Sequence, residues 1–195
     1  KRFPDCFNSI AALSARVPEV LGKHYEITYP GRQMKTARNL RRVPLAARWE
    51  QNRAHFNQVY GWERPMFFGC SGDPVLTFGK PAWFDNVAKE VGFAHTGAAI
   101  FDQSTFGKIR VMGADAERAL NRTCTNNMKR SPGAVIYTGM LNEQGGYESD
   151  LTVMRISDEK YVLFVGSAAV KRDMAWIKNQ LLSADRVKLE DVTED

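Results

Sequence analysis

"VIYTGMLNEQGGYESDLTVMRISDEKYVLFVG", residues 135–166, decides the fold. Three runs rich in β-branched and aromatic residues, VIYTGML, DLTVMRI and KYVLFVG, are separated by turn chemistry at 142–146 and 157–159. Such side chains suit a pleated, half-buried surface. A parallel crossover needs a dozen or more residues, and these connections are far shorter, so the three strands run antiparallel. In the first turn, Asn142, Glu143 and paired glycines lead into Tyr147, Glu148 and Asp150. Two carboxylates beside a strand entrance are not ordinary scaffolding.

Around this meander the pattern changes to helical spacing. On the C-terminal side, Met174, Ile177 and Leu181 form an apolar stripe on a helix from about Lys171, and Val187, Leu189 and Val192 begin a new alternation. On the N-terminal side, Ala114–Cys124 reads as a helix with Asp115 near its positive end. "GAAIFDQSTFGKIRVMG" (97–113) alternates like two short strands joined by Gln103-Ser104-Thr105. Phe84, Val87, Ala88 and Val91 predict a helix stopped by Gly92. Leu45, Trp49, Phe56 and Tyr60 share one helical face after Pro44, with Gly61 as its close. "HYEITYPGRQ" (24–33) reads as a short strand ended by a Pro-Gly turn. Ile10, Leu13 and Val17 have helical spacing, which Pro18 is expected to interrupt. Hairpins with helices inserted between groups of strands predict an α+β fold on a mainly antiparallel sheet.

A hydrophobic content of 44%, with 11% aromatics, is enough for a packed core and argues against wholesale disorder. No apolar run approaches the roughly 18 residues of a membrane span, and no secretory leader follows the N-terminus. The chain starts Lys1-Arg2-Phe3 without a methionine, and its last alternation stops at Asp195, so a piece of a longer polypeptide is expected. Cys6, Cys70 and Cys124 are too scattered for a zinc cluster and odd in number for a disulfide framework. Free thiols in a bacterial cytoplasm or a mitochondrial matrix fit best. The net charge of +5 is uneven: residues 1–65 hold 12 Lys/Arg against 5 Asp/Glu, and the remainder hold 15 against 17. The basic part centres on Arg32, Lys35, Arg38, Arg41, Arg42, Arg48 and Arg53. A solvated or domain-facing surface accounts for it more simply than nucleic acid.

There is no GxGxxG, P-loop, HExxH or GxSxG motif. His24, His55 and His95 each stand alone, so no metal site is expected. The hairpin is the candidate site. Its glycines allow a tight turn and close approach of a ligand to the backbone. Tyr137 lies before the turn and Asp150 after it, so antiparallel return lets a phenol and a carboxylate border one concavity. A partly buried carboxylate there would exchange protons nearer neutrality. Alternation puts Asp150 with Thr152, Met154 and Ile156, opposite Leu151, Val153 and Arg155. Neither set is purely apolar, so the pattern leaves open which one faces inward.

"GWERPMFF" (61–68), "FDQSTFGKIRVMGADA" (101–116), "GAVIYTGMLNEQGGYESDLTVMR" (133–155) and "FVGSAAVKRDMAWI" (164–177) resemble the folate-binding domain of aminomethyltransferases, the T-protein of the glycine cleavage system. They resemble more closely the same module fused behind the flavin domain in dimethylglycine and sarcosine dehydrogenases. "YPGRQMKTARNLRRVPL" (29–45) is similar to the junction in those fusions. The resemblance implies that residues 1–43 are the tail of the flavin-oxidoreductase part and its junction. Residues 44–195 are then the first part of a T-protein-like folate module that is incomplete at both ends.

Carried onto this sequence, the resemblance makes Asp150 the residue tied to one-carbon transfer. Tyr137, Phe106 and Tyr147 become folate-binding residues. It implies tetrahydrofolate as the acceptor of a one-carbon unit, giving 5,10-methylenetetrahydrofolate, and a small methylated amine as its source. FAD belongs to the parent protein and not to this fragment, which lacks the flavin domain and the second half of the folate module. Alone, the fragment is expected to be inactive. Two departures stand out: the family's double acid is Ser149-Asp150 here, and Gly166 replaces an asparagine of the glycine-system proteins. Alternatives on the same fold are a folate-dependent methyltransferase or demethylase of the aminomethyltransferase or dimethylsulfoniopropionate demethylase type, and a non-catalytic regulatory subunit. Neither nucleic acid nor membrane is expected as a partner.

Overall fold

The computed structural model describes residues 5–70 and 72–194. The Lys1-Arg2-Phe3 start lies outside them. The chain divides after Ser104 into two compact units.

In the first unit, helix α1 (Ile10–Gly22) starts where the Ser9 hydroxyl accepts the Ala12 amide, 3.1 Å away. It continues through Pro18 instead of stopping there. The expected strand within 24–33 is absent; only its Pro30-Gly31 turn forms, with Gly31 at φ 78° and the Arg32 amide on the Tyr29 carbonyl. The helix expected from Leu45 to Tyr60 is α2 (Ala46–Gln51) alone. Arg53, at φ 57°, turns the chain into a hairpin of β2 (His55–Val59) and β3 (Trp62–Phe67). Tyr60 and Gly61 both have positive φ, so Gly61 closes a hairpin instead of a helix. A Cβ at Gly61 would lie 2.5 Å from the Cys6 sulfur. Strand β1 (Arg41–Arg42) adds to β3 in parallel. Helix α3 (Phe84–Thr96) runs past Gly92 and ends at Gly97.

The apolar core of this unit is small: Val43, Ala46 and Trp62, with Trp49 against them. Ring stacking adds to it, since Phe67 lies between His55 and Trp83 at centroid distances of 4.9 and 4.4 Å. Polar contacts complete it. Glu63, 2% exposed, accepts from Arg38 Nε and the Asn39 amide at 2.8 Å each, and a second guanidinium nitrogen of Arg38 closes a bidentate pair. Burial alone would raise the Glu63 carboxyl, but Arg38 and the Asn39 amide overcome it and hold it below its ordinary range.

The second unit is the predicted meander, extended on one side by two further strands. Strands β4 (Gly107–Met112), β5 (Val135–Leu141), β6 (Tyr147–Ser157), β7 (Lys160–Val165) and β8 (Lys188–Asp191) form one antiparallel sheet ordered β5-β6-β7-β4-β8. Of the two strands expected in 97–113, only β4 forms. Alternation decides the inner face. Ile109, Val111, Ile136, Met140, Leu151, Val153, Leu163 and Val165 are buried there, together with residues of α4 (Ala116–Thr123) and α5 (Val170–Asn179). Each helix supplies a narrow stripe, Ala116, Ala119, Leu120 and Thr123 on α4 and Val170, Asp173 and Ile177 on α5. The result is a mainly antiparallel α+β fold.

Candidate functional site on the open sheet face

Asp150, Thr152, Met154 and Ile156 alternate with the buried Ser149, Leu151, Val153 and Arg155, so Asp150 stands on the face opposite the helices. The sequence left that choice open. Strand β5 contributes Val135, Tyr137 and Gly139 to the same face. Gly139 pairs directly with Asp150, and Tyr137 pairs with Thr152, one diagonal step away. From there the Tyr137 hydroxyl donates to Asp150 Oδ2 at 3.1 Å. The acid and the phenol are thus brought together as expected. Their setting is an exposed platform: Asp150 is exposed and Tyr137 retains 66% of its accessible surface. The hydrogen bond to Asp150 and its charge raise the Tyr137 phenol above its ordinary range, so it stays a donor at neutral pH.

Tyr147 reaches this face through a defect in the ladder. Met140 pairs with Ser149 and Leu141 with Tyr147, so Glu148 is an extra residue. Without that bulge, Tyr147 and Ser149 would share a side. With it, the Tyr147 ring lies over Gly139, where an added Cβ would sit 2.5 Å from the ring. Here glycine makes room for a close approach and serves no turn. The turn itself is built on Asn142: its Oδ1 accepts the Gln144 and Gly146 amides at 3.1 and 2.8 Å, and its Nδ2 donates to Glu148 at 3.2 Å. Of the two carboxylates at the strand entrance, Glu148 therefore fixes the bend and Asp150 is presented outward.

The ladders connect Phe106 to the same row. Gly107 pairs with Val165 and Thr152 with Phe164, so continuing the first register by one residue and the second by two sets Phe106 and Asp150 on either side of Gly166. Strand spacing of about 4.8 Å puts their backbones about 10 Å apart. Asp150 is thus flanked in its row by two residues without side chains, Gly139 and Gly166, with Tyr147, Tyr137 and the 40% exposed Phe106 around it. The sheet edge beside this row is closed. Thr125 donates its amide to the Gly139 carbonyl at 2.9 Å, its hydroxyl accepts the Gly139 amide at 3.3 Å, and Asn126 Nδ2 donates to the Tyr137 carbonyl at 3.1 Å.

A flat, N–H-bearing ring system fits this chemistry. Exposed aromatic rings offer stacking surface, the carboxylate accepts from or takes a proton from a ring nitrogen, and the missing Cβ atoms leave room beside it. On the inner side is a group that the sequence reading missed. Asp173 of α5 is 1% exposed, accepts from the Ser149 hydroxyl at 2.8 Å and from Arg172 Nε at 3.0 Å, and is raised above its ordinary range by burial. The signal was an acid in the middle of the apolar stripe Val170–Ile177.

Other features of the chain are engaged structurally. Arg32 pairs with Glu26 at 2.5 Å, Lys35 with Asp73 at 3.6 Å, Arg38 with Glu63, and Arg42 with Glu50 at 2.5 Å, while Arg41 lies 4.0 Å above the Trp62 ring. The basic cluster is largely neutralised within its own unit. A hollow of about 870 Å³ in that unit is lined by three of these pairs, those of Arg32, Lys35 and Arg38, with Tyr29, Met34 and His55. It contains none of the four residues expected from the sequence. The Cys124 thiol is pushed up to about 12 by burial, and Cys6 and Cys70 are partly buried and in no disulfide. Among the described residues, no three His, Cys, Asp or Glu gather as metal ligands, and no helix is long and apolar enough to cross a membrane.

Comparison with known proteins agrees with this architecture. Residues 45–195 match the GCVT N-terminal domain, and residues 1–42 match the FAD dependent oxidoreductase central domain. The chain is 35% identical, over 91% of its length, to a 4-methylaminobutanoate oxidase (formaldehyde-forming) of Paenarthrobacter nicotinovorans, covering 22% of that protein. It is 31% identical, over 99% of its length, to the mitochondrial pyruvate dehydrogenase phosphatase regulatory subunit of Mus musculus, covering 23% of it. The chain therefore spans under a quarter of the length of these relatives. Among solved structures, the glycine cleavage system aminomethyltransferase T from Bartonella henselae superposes with a TM-score of 0.62 at 22% identity, over 78% of this chain and 38% of that one, a likeness of fold. With three-quarters of its length matched, the chain belongs to the aminomethyltransferase family defined by the GCVT N-terminal domain, and the residues before that match are similar to the FAD dependent oxidoreductase central domain.

Proposed function

We propose that this chain is part of a flavin-dependent N-methyl amine dehydrogenase of the dimethylglycine or sarcosine type, acting in a bacterial cytoplasm or mitochondrial matrix. Its residues 44–195 begin the module that passes the released one-carbon unit to tetrahydrofolate, and residues 1–43 end the flavin part. The observation that carries the reading is the Tyr137–Asp150 hydrogen bond on an aromatic platform. The kinship with a 4-methylaminobutanoate oxidase (formaldehyde-forming) supports it.

Tetrahydrofolate supplies a nucleophilic nitrogen and the ring that carries it. Asp150 accepts the N–H of that nitrogen and takes its proton as the one-carbon unit is captured. Its negative charge also favours cation developing nearby. Tyr137 holds the carboxylate in place from the side. Tyr147 and Phe106 offer ring faces that orient a flat ligand over the glycine gaps and shed water from it.

The test uses the full-length, flavin-loaded protein with an N-methyl amine and tetrahydrofolate. The ratio of folate-bound carbon to free formaldehyde is measured for the parent and for Asp150→Asn. A fall of about 10²-fold or more in that ratio is expected, the usual scale for removing a general base. An unchanged ratio rejects Asp150 as the transfer residue. A second reading, a regulatory subunit, is favoured by the 31% identity to the phosphatase subunit. A parent that holds no flavin and oxidises no amine would select it.

A further inference from the structure

Asp173 lies on the side of the sheet that no ligand on the open face can touch, yet it is an ionisable group where its neighbours in the stripe, Val170 and Ile177, are apolar. Burying an ionised carboxylate costs several kcal/mol unless hydrogen bonds offset it. A packing role would be served at lower cost by a leucine. Its contact decides what it does instead: the Ser149 hydroxyl donates to Asp173 Oδ2 at 2.8 Å, and Ser149 is the residue between the bulge and Asp150.

The bulge is the vulnerable point. A ladder with one extra residue can carry that residue at neighbouring positions, and each one-step move turns a side chain to the opposite face. Moved two residues toward the C-terminus, it would set Ser149 opposite Gly139 and so outward, and would displace Asp150 from that pairing, while Tyr147 stays opposite Leu141. The outer hydrogen bond from Asn142 to Glu148 favours the observed position from the turn side. On the strand side, Ser149 has a partner beneath the sheet only when it points inward.

We propose that Asp173 is a positioning residue, whose hydrogen bond with Ser149 fixes the bulge at Glu148 and so holds Asp150 opposite Gly139, on the face of Tyr137. The proposal deepens the folate-site reading and rests on it for its functional consequence, but its geometric content stands apart from any ligand. Arg172, 60% exposed, keeps the second carboxylate oxygen occupied, which leaves Oδ2 for the serine.

The experiment exchanges the two partners in the full-length protein. Ser149→Asp alone opposes two carboxylates, Asp173→Ser alone opposes two hydroxyls, and the double exchange restores one of each. The readout is the titration midpoint of the Tyr137 phenol, taken as the ultraviolet difference from the same protein carrying Tyr137→Phe. Asp150→Asn sets the scale, because it removes the charge that raises this phenol. Both single changes are expected to lower the midpoint by at least half of the Asp150→Asn shift, and the exchange to recover it. Tetrahydrofolate affinity is expected to fall about tenfold in the single variants and to recover within about threefold in the exchange. Single variants that keep the parental midpoint overturn the proposal. So does an exchange that recovers the melting temperature but not the midpoint, since that marks a purely structural contact. If the single variants do not fold, Ser149→Ala and Asp173→Asn decide: the first loses the donor and lowers the midpoint, the second retains an acceptor and does not, and equal midpoints overturn the latch. Unchanged folate affinity in Asp150→Asn would instead sink the functional reading, leaving the phenol titration to judge the latch alone.

Discussion

Each of the two units buries a carboxylate in its interior, Glu63 in one and Asp173 in the other, with opposite consequences. Glu63, in the unit ending at Ser104, meets a guanidinium and a backbone amide and is held ionised. Asp173, in the unit beginning at Thr105, meets a hydroxyl and a half-exposed arginine and is pushed toward its neutral form. The first acid holds together a unit with few buried apolar side chains. The second sits beneath a continuous apolar core. Burial alone therefore does not tell a structural acid from one serving a site; the partner does.

The largest expected effect breaks the comparison at its strongest contact. Glu63→Ala leaves Arg38 uncompensated and should cost about 3–5 kcal/mol, read as faster amide exchange in β2 and β3. Leu163→Ala, in the apolar core, should cost about 2–5 kcal/mol, read in β6 and β7. Equal loosening of both strand groups by either change would remove the distinction between the units.

The pH dependence sharpens it. Glu63 has a lowered carboxyl, so its contribution is present above the ordinary glutamate value of about 4.3 and is lost as pH falls toward its folded value. The deficit of Glu63→Gln should therefore shrink on acidification. Asp173 has a raised carboxyl, so its contribution is complete below the ordinary aspartate value of about 3.9 and is lost as pH rises through its folded value. Asp173→Asn should therefore gain on the parent as pH rises from about 4. Denaturation of each variant across pH 3–7 checks both slopes.

Glycine substitutions give a smaller contrast. Gly107→Ala drives a methyl to within 2.1 Å of Val170 in the buried layer and should cost about 1–3 kcal/mol. Gly139→Ala meets only the exposed, movable Tyr147 ring, so stability should change by less than about 1 kcal/mol while folate affinity falls. The smallest effect is that of Tyr137→Phe: its exposed hydrogen bond contributes about 0.5–1 kcal/mol or less. Thermal melts and ligand titration separate the three.

The meander at 135–166 was legible because period-two alternation there is backed by short turns, and VIYTGML became β5 with no residue gained or lost. The segment 45–60 was misread for a physical reason. Leu45, Trp49, Phe56 and Tyr60 do have helical spacing, but Arg53 and Tyr60 adopt positive φ, which spacing cannot reveal. Pro18 was expected to break α1 and is instead accommodated in its last half. At the site, the pairing of Tyr137 with Asp150 followed from antiparallel return. The side on which Tyr147 stands did not, because counting by twos fails across an unpredicted bulge. Asp173 escaped notice since helical periodicity was sought in apolar residues only.

The segment around Thr125 and Asn126 has one further effect. By occupying the main-chain groups at Gly139 and Tyr137, it leaves an incoming peptide little to zip onto along that margin. Recognition beside Asp150 is thereby restricted to side chains and ring planes, which suits a compact heterocycle and discourages strand-adding polypeptides from competing for the same place.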